Sequence, residues 1–460
     1  MSNEPFTVEI TDIALPDGYG VAKRDGFVIF VPDSVPGDRV KVKIVKQNRK
    51  SAHGELLEIE APSPFRLTPP CPHFADCGGC TMQNLLYEKQ LQIKENYLKE
   101  TLKRIGRIDI DDIKISPIVP SPDRYYYRSK IELAFGEDKH GAILGMRKRV
   151  PLSGNYTRDV APLKKCVVFS EKTEKIILLF EGFANKYRLS AYSHVKGRGL
   201  LRHLILREAK STGELMTIIE TTNGKLPDMS GLWQILTREI PNIKSLYRVV
   251  NNRPGDVINY VKKYHIFGKP CIEDALGELS FRIYPESFFQ PNPAAASLLY
   301  TTLAELSGLD GNKKVLGLYC GIAPIELFLS HHAREVIGID SSHTNIINAK
   351  ENCRINGINN CTFYEGRVED MLKNLQLNDI DLLVIDPPRE GISKEGLQLI
   401  YKINPIKIAY VSCNPSTLAR DLQDFSKNGY TIPECIPFDL FPHTSHLETL
   451  AMLETRPTAR

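Results

Sequence analysis

The chain has 460 residues, of which 42% are hydrophobic and 25% charged, with a net charge of +4. At about 100–200 residues per domain, this is room for about two to four domains, and the balance excludes a disordered chain. No apolar run reaches the roughly 18 residues of a membrane span, and the opening MSNEPFTVEITDI carries acids where a secretory leader needs an apolar stretch.

Residues 1–62 read as a small all-β unit. FVIFVP (27–32) leads through the turn signal DSVPGD into RVKVKIV (39–45). There Val40, Val42 and Ile44 alternate with Arg39, Lys41 and Lys43, the period of a half-buried strand. GELLEIE (54–60) closes the unit, and APSPFRLTPPCP is a proline-rich boundary. An OB-like barrel fits. The run from Arg39 to Lys50 holds no acid, and reads either as a solvated face or as a strand that tracks phosphates.

Residues 63–280 form the second unit. CPHFADCGGC places Cys71, Cys77 and Cys80 in C-x5-C-x2-C spacing, and Cys166 follows two lysines. The chain has ten cysteines, the others scattered, which predicts a reducing, cytoplasmic setting and a metal site rather than a disulfide framework. Four thiolates can hold an iron–sulfur cluster or a tetrahedral zinc, and spacing leaves both open. Next, Leu91, Leu98, Leu102 and Ile105 share one face of a helix ending near Gly106. The rest is β-rich: LLRHLILREA and GELMTIIETT flank KSTG as a hairpin. Between Gly141 and Lys165, Arg147, Lys148, Arg149, Arg158, Lys164 and Lys165 meet only Asp159, which predicts a basic surface with nucleic acid as a candidate partner.

From 281 to 460 short apolar strands alternate with helical stretches: KKVLGLYC (313–320), EVIGID (335–340), IDLLVIDPP (380–388) and IKIAYVSC (406–413). That pattern predicts a Rossmann-like parallel sheet covered by helices, with ligands beyond the carboxyl ends of its strands. Gathered there are LYCGI, Asp340 about 20 residues further on, and DPPREG with Asp386, while SFFQPNP (287–293) precedes the unit. Together they suit an adenosine-containing ligand. The loop lacks the Gly-Lys-Ser/Thr of an ATPase and most glycines of an NAD fingerprint. A last strand end stands out. In IAYVSCNPSTLARDL (408–422), Cys413 lies between an apolar strand and a helix starting at Pro415. Helix-start N–H groups and the positive dipole end are expected to lower the pKa of this thiol.

Taken in order, CPHFADCGGC, SFFQPNP, LYCG, DPPREG, YVSCNPSTLARDL and FPHTSHLE resemble the RNA (uracil-5-)-methyltransferase family over essentially the whole chain. The opening segment with DGYGVA looks like a TRAM domain. The resemblance implies S-adenosylmethionine as methyl donor, held by Gln290, Tyr319, Asp340 and Asp386; Cys413 as nucleophile and Glu448 as proton-removing base; and a 4Fe–4S cluster on Cys71, Cys77, Cys80 and Cys166. It further implies an RNA partner, 23S ribosomal RNA before transfer RNA, and a protein acting as a monomer away from membranes. Aspartate is usual in the family at Gly317, Gly-Thr or Gly-Asn at Ala323-Pro324, and glutamate at Asp340. These departures bear on cofactor affinity and leave Cys413 and Glu448 intact. The alternative they raise is an RNA-binding homologue without catalysis. A radical S-adenosylmethionine enzyme is disfavoured, because its cysteines stand in C-x3-C-x2-C spacing.

Overall fold

The computed structural model describes residues 4–149 and 158–456. Its first sheet has six strands, β1 (Phe6–Glu9), β2 (Asp12–Ala14), β3 (Tyr19–Arg24), β4 (Phe27–Val31), β5 (Arg39–Gln47) and β6 (Ser51–Ala61), in the order β1-β5-β6-β4-β3-β2. The alternation in β5 is realised. Val40, Val42 and Ile44 are buried with Ile10, Ile29 and Val31, while Arg39 and Lys43 face solvent.

After the cysteine segment come α1 (Tyr87–Arg104) and the short β7 (Lys114–Ile115). The central sheet follows, with β8 (Lys130–Asp138), β9 (Gly141–Arg147), β10 (Val160–Pro162), β11 (Leu201–Glu208), β12 (Leu215–Thr221), β13 (Ile243–Val250) and β14 (Lys262–Gly268), ordered β10-β9-β8-β11-β12-β13-β14. Helices α2 (Thr173–Lys186) and α3 (Ser230–Glu239) cover it. The expected hairpin is β11 and β12, antiparallel from Leu201↔Thr221 to Glu208↔Leu215. β15 (Ile272–Leu276) and β16 (Leu279–Ile283) form a separate antiparallel pair.

The C-terminal part carries α4 (Pro293–Ser307), β17 (Lys314–Leu318), α5 (Pro324–Ser330), β18 (Glu335–Asp340), α6 (His343–Ile355), β19 (Cys361–Glu365), α7 (Val368–Asn374), β20 (Leu382–Ile385), α8 (Lys394–Ile403), β21 (Lys407–Ser412), α9 (Pro415–Lys427), β22 (Tyr430–Phe438) and β23 (Glu448–Thr455). The sheet order is β19-β18-β17-β20-β21-β23-β22-β7. Strands β19 to β21 run parallel, and β23 lies antiparallel between β21 and β22. Local rules place the helices. Proline stands first in α4 and α9, Asn292 and Asn414 cap them by accepting from Ala295 and Ser416 backbone N–H groups, and Gly308 stops α4 at φ 66°.

Packing crosses both boundaries drawn from composition: Ile13 and Val35 of the first unit share a core with Met82, Leu85 and Ile93. β7 pairs with β22, and Leu98, Leu102 and Ile118 share a core with the C-terminal sheet. The 280/281 boundary falls inside β16, whose Phe281 and Ile283 pack with Ile205, Ile218 and Val249 of the central sheet and with α4. Composition marks a change of pattern; it does not show which apolar faces meet. Among the described residues, no helix is long and apolar enough to cross a membrane.

Candidate active site

Because β17, β18, β20 and β21 are parallel, their carboxyl ends meet at one edge, and β23 starts there because it runs the other way. Ser412↔Thr449 pairing sets Cys413, just past β21, beside Glu448, first in β23. Glu448 is 2% exposed, and burial, then Asp386, holds its carboxyl well above the usual range, with Arg389 opposing. Burial also pushes the Cys413 thiol up to about 11, with Glu448 and Asp386 adding to it and Arg389 countering. The expected lowering of this thiol is therefore corrected. The helix start is present, yet desolvation and two carboxyl groups outweigh it.

Arg389, in the DPPREG loop, was not singled out by sequence. It faces the thiol, and its Nη2 lies 2.9 Å from His446 Nδ1. Its carbonyl accepts from Asn414 Nδ2 at 2.9 Å and from Thr417 Oγ1 at 3.2 Å, which ties the loop to the start of α9. Burial pushes His446 down to about 4, so the ring is neutral beside the guanidinium.

The predicted cofactor residues lie along the same edge. Asp386 follows β20, and burial pushes its carboxyl up to about 7. Asp340 closes β18 and accepts from the backbone N–H groups of Gly321 at 3.0 Å and Ser342 at 2.8 Å. Tyr319 sits in the loop at φ 62°, and Gln290 is buried before α4, its carbonyl accepting from Ser129 Oγ. Ala323 also adopts the left-handed conformation, at φ 66° and fully buried. A Cβ in that conformation costs about 1–2 kcal/mol, which glycine would not incur.

Glu326, in the first turn of α5, is a second residue that sequence reasoning missed. A Cβ at Gly317 would come within 2.0 Å of its Oε1, so only glycine leaves room for this carboxyl. Glu326 is 2% exposed, its Oε2 has no hydrogen-bond partner, and burial pushes it up to about 8. Where the resemblance expects aspartate on β17, a carboxyl reaches the same place from α5. The signal was in the sequence, as an acid following the departures at Ala323-Pro324.

A cavity of about 1170 Å³ lies close by, with His446, the neighbour of Arg389, in its wall. Tyr19 of the first sheet, Asp33 of the turn after β4, Lys130 and Arg207 of the central sheet, and Phe288 and His446 line it. The predicted basic surface reaches it through Arg147, Lys148 and Arg149, but is partly neutralised. Asp256 pairs with Arg147 at 2.7 Å and Arg158 at 3.6 Å, and Asp33 pairs with Arg149 at 2.6 Å. Residues 150–157 of that stretch lie outside the described residues. Phe288 is 58% exposed, a large apolar ring facing open space.

Cys71, Cys77, Cys80 and Cys166 line one small cavity with apolar walls that include Phe74, Ile131, Leu163 and Val168. Burial and mutual repulsion push Cys77 up to about 11 and Cys80 to about 12. Among the described residues, no group of three or more His, Cys, Asp or Glu side chains is arranged to hold a metal ion. The four thiols thus share a cavity without closing on a common point.

A TRAM barrel joined to a methyltransferase sheet with a cysteine at a strand end defines an RNA-modifying enzyme, and the comparisons agree. The tRNA (uracil-5-)-methyltransferase family profile matches residues 262–456, and the TRAM domain profile residues 1–57. An uncharacterized RNA methyltransferase of Clostridium acetobutylicum is 37% identical over 454 residues, covering 98% of this chain and 97% of its own. One from Halalkalibacterium halodurans is 34% identical, covering 99% and 98%. The crystal structure of Pyrococcus abyssi tRNA (uracil-54, C5)-methyltransferase in complex with S-adenosyl-L-homocysteine superposes with a TM-score of 0.77 at 29% identity, covering 97% of this chain and 100% of that one. The chain belongs to the RNA (uracil-5-)-methyltransferase family.

Proposed function

We propose that the protein transfers a methyl group from S-adenosylmethionine to C5 of a uridine in a structured RNA, with Cys413 as nucleophile and Glu448 as base. The observation that carries this is the pairing of β21 with β23, which sets a thiol and a buried carboxyl side by side at the cofactor edge. C5 of uracil is a poor nucleophile. Cys413 Sγ adds at C6, and the electrons of the C5–C6 bond make C5 enolate-like. The donor supplies an electrophilic methyl on a positively charged sulfur, flanked by Gln290, Tyr319, Asp340 and Asp386. Once C5 carries the methyl, Glu448 removes the C5 proton, the C5–C6 double bond re-forms and the C6–S bond breaks, releasing the Cys413 thiolate. Covalent catalysis divides one hard step into two easier ones. Burial raises the thiol in the free site, so Cys413 must pass its proton on before attack, and Arg389 favours the thiolate it leaves; Glu448 acts as base in its ionised form, which Arg389 also favours.

The uridine reaches the thiol by leaving its stack, and the 1170 Å³ cavity lined by Phe288 and His446 is the place proposed for the flanking RNA. The four cavity cysteines are all-sulfur donors in apolar walls, a donor set that suits a 4Fe–4S cluster. Methyl transfer needs no electron, so such a cluster would serve structure. Large-subunit ribosomal RNA is the substrate favoured by the TRAM domain together with the cysteine motif. Transfer RNA is the second reading, favoured by the superposition on the P. abyssi transfer RNA enzyme. Mass mapping of methylated uridines in ribosomal and transfer RNA fractions, from cells with and without the protein, decides between them. Cys413→Ala is expected to abolish methylation in either fraction; full activity of that variant would overturn the mechanism.

A further inference from the structure

Residues 439–447 connect β22 to β23 and deliver Glu448. Four successive carbonyls of this loop each accept a hydrogen bond from outside it. Leu440 accepts from Asn292 Nδ2 at 3.1 Å, Phe441 from Lys94 Nζ at 3.0 Å, and Pro442 from Tyr127 OH at 3.0 Å. The His443 carbonyl accepts from the backbone N–H groups of Thr81 at 2.9 Å and Met82 at 3.0 Å, directly after Cys80. Lys94 Nζ also pairs with Asp439 Oδ1 at 2.6 Å, with both side chains 0% exposed, and Tyr87 OH donates to Asp439 Oδ2 at 2.8 Å. Gln90 completes the arrangement. Its Oε1 accepts from His443 N–H at 3.0 Å, while its Nε2 donates to the carbonyls of Met82 and Leu85.

We infer that α1 and the end of the cysteine segment form a clamp on this loop, with Lys94 and Gln90 as positioning residues that set where Glu448 meets the C5 proton. The inference rests on the reading of Glu448 as base. A buried ion pair is a poor source of net stability but a good source of unique geometry, because both charges must be met in one arrangement. Ordinary loops lie on the surface and are mobile; this one is buried and held at every carbonyl from Leu440 to His443. The clamp also gives the cysteine cavity a part in a reaction without electron transfer: Cys80 is one residue from the Thr81 bond to the base-bearing loop.

A misplaced base leaves addition and methyl transfer intact and slows proton removal, so the covalent protein–RNA adduct accumulates. The test compares Gln90→Leu and the double variant Lys94→Met/Asp439→Asn with the wild type and with Glu448→Gln, using target RNA and S-adenosylmethionine. The double variant removes both buried charges together and so avoids leaving one unpaired. Expected are at least about tenfold more adduct and a matching fall in kcat, with KM for RNA unchanged. Folded clamp variants without adduct, in an assay where Glu448→Gln accumulates it, overturn the inference. If Glu448→Gln itself fails to accumulate adduct, the base assignment falls instead. Hydrogen exchange then tests the clamp alone: Gln90→Leu is expected to speed amide exchange across 439–447 at least about tenfold relative to the central sheet, and unchanged exchange overturns it.

Discussion

Two sets of thiols, in the cysteine cavity and at the end of β21, are treated alike by desolvation. Cys77 and Cys80 rise to about 11 and about 12, and Cys413 to about 11. What separates the two places is the company each keeps. Cys77 and Cys80 face other thiols across apolar walls. Cys413 faces a guanidinium, two carboxyl groups and the start of a capped helix. Acidity in the free protein therefore does not mark a nucleophile. On the proposed mechanism, what marks Cys413 out is its company, a buried carboxyl and a cation beside the thiol.

The sharpest way to break this contrast is to remove each thiol in turn. Cys413→Ser is expected to cut methyl transfer at least about 1000-fold while leaving any visible absorbance of anaerobically purified protein untouched. Cys77→Ser is expected to do the reverse, losing that absorbance and retaining adduct formation with RNA. If both variants lost the same property, the two sites would be one. A smaller effect isolates the cation. Arg389 is the influence that favours the thiolate, so Arg389→Gln is expected to raise the pKa of Cys413. Each unit of rise means about tenfold less thiolate near neutral pH, a deficit that shrinks as pH climbs towards the thiol's own pKa. A pH–rate profile for adduct formation reads this, and a deficit constant with pH would assign Arg389 to RNA binding instead.

The smallest effect concerns the carboxyl that neither thiol site uses directly. Glu326 has a folded pKa of about 8 against an ordinary 4.5. Between those values the folded protein holds a proton that the unfolded chain releases, so stability falls as pH rises through that window. Glu326→Gln is neutral throughout. Its melting temperature is expected to gain on the wild type from pH 5 to pH 9, by about 2–4 °C per kcal/mol relieved. A difference independent of pH would place the proton elsewhere.

How far the sequence foretold this arrangement depends on the range over which each signal acts. The alternation of Val40, Val42 and Ile44 and the Asn414-Pro415 helix start are local rules, and both appear in the structure as read. Strand ends were legible because a parallel sheet puts all its carboxyl ends on one edge, which is why Cys413, Asp340 and Asp386 come together. Docking of α1 on the C-terminal sheet was not, because its apolar face fits any apolar partner. Nor was the protonation of the site, which depends on burial from several elements at once. Gly317 read as a departure bearing on cofactor affinity, and Glu326 was not singled out. Only the fold ties them together: a Cβ added at Gly317 would stand 2.0 Å from Glu326 Oε1.

The reversed strand β23 has a consequence for how this protein can vary. Cys413 leaves β21 where Glu448 enters β23, and the Ser412↔Thr449 pair fixes the step between them. Everything from 414 to 438 is a detour, through α9 and β22. Insertions between α9 and β22 would lengthen that detour without moving either end, whereas a single residue added at 412–413 or 448–449 would shift the register and turn one of the two groups away. Evolution is thus free to remodel the outer face of this enzyme while the spacing of its thiol and carboxyl stays locked to the ladder.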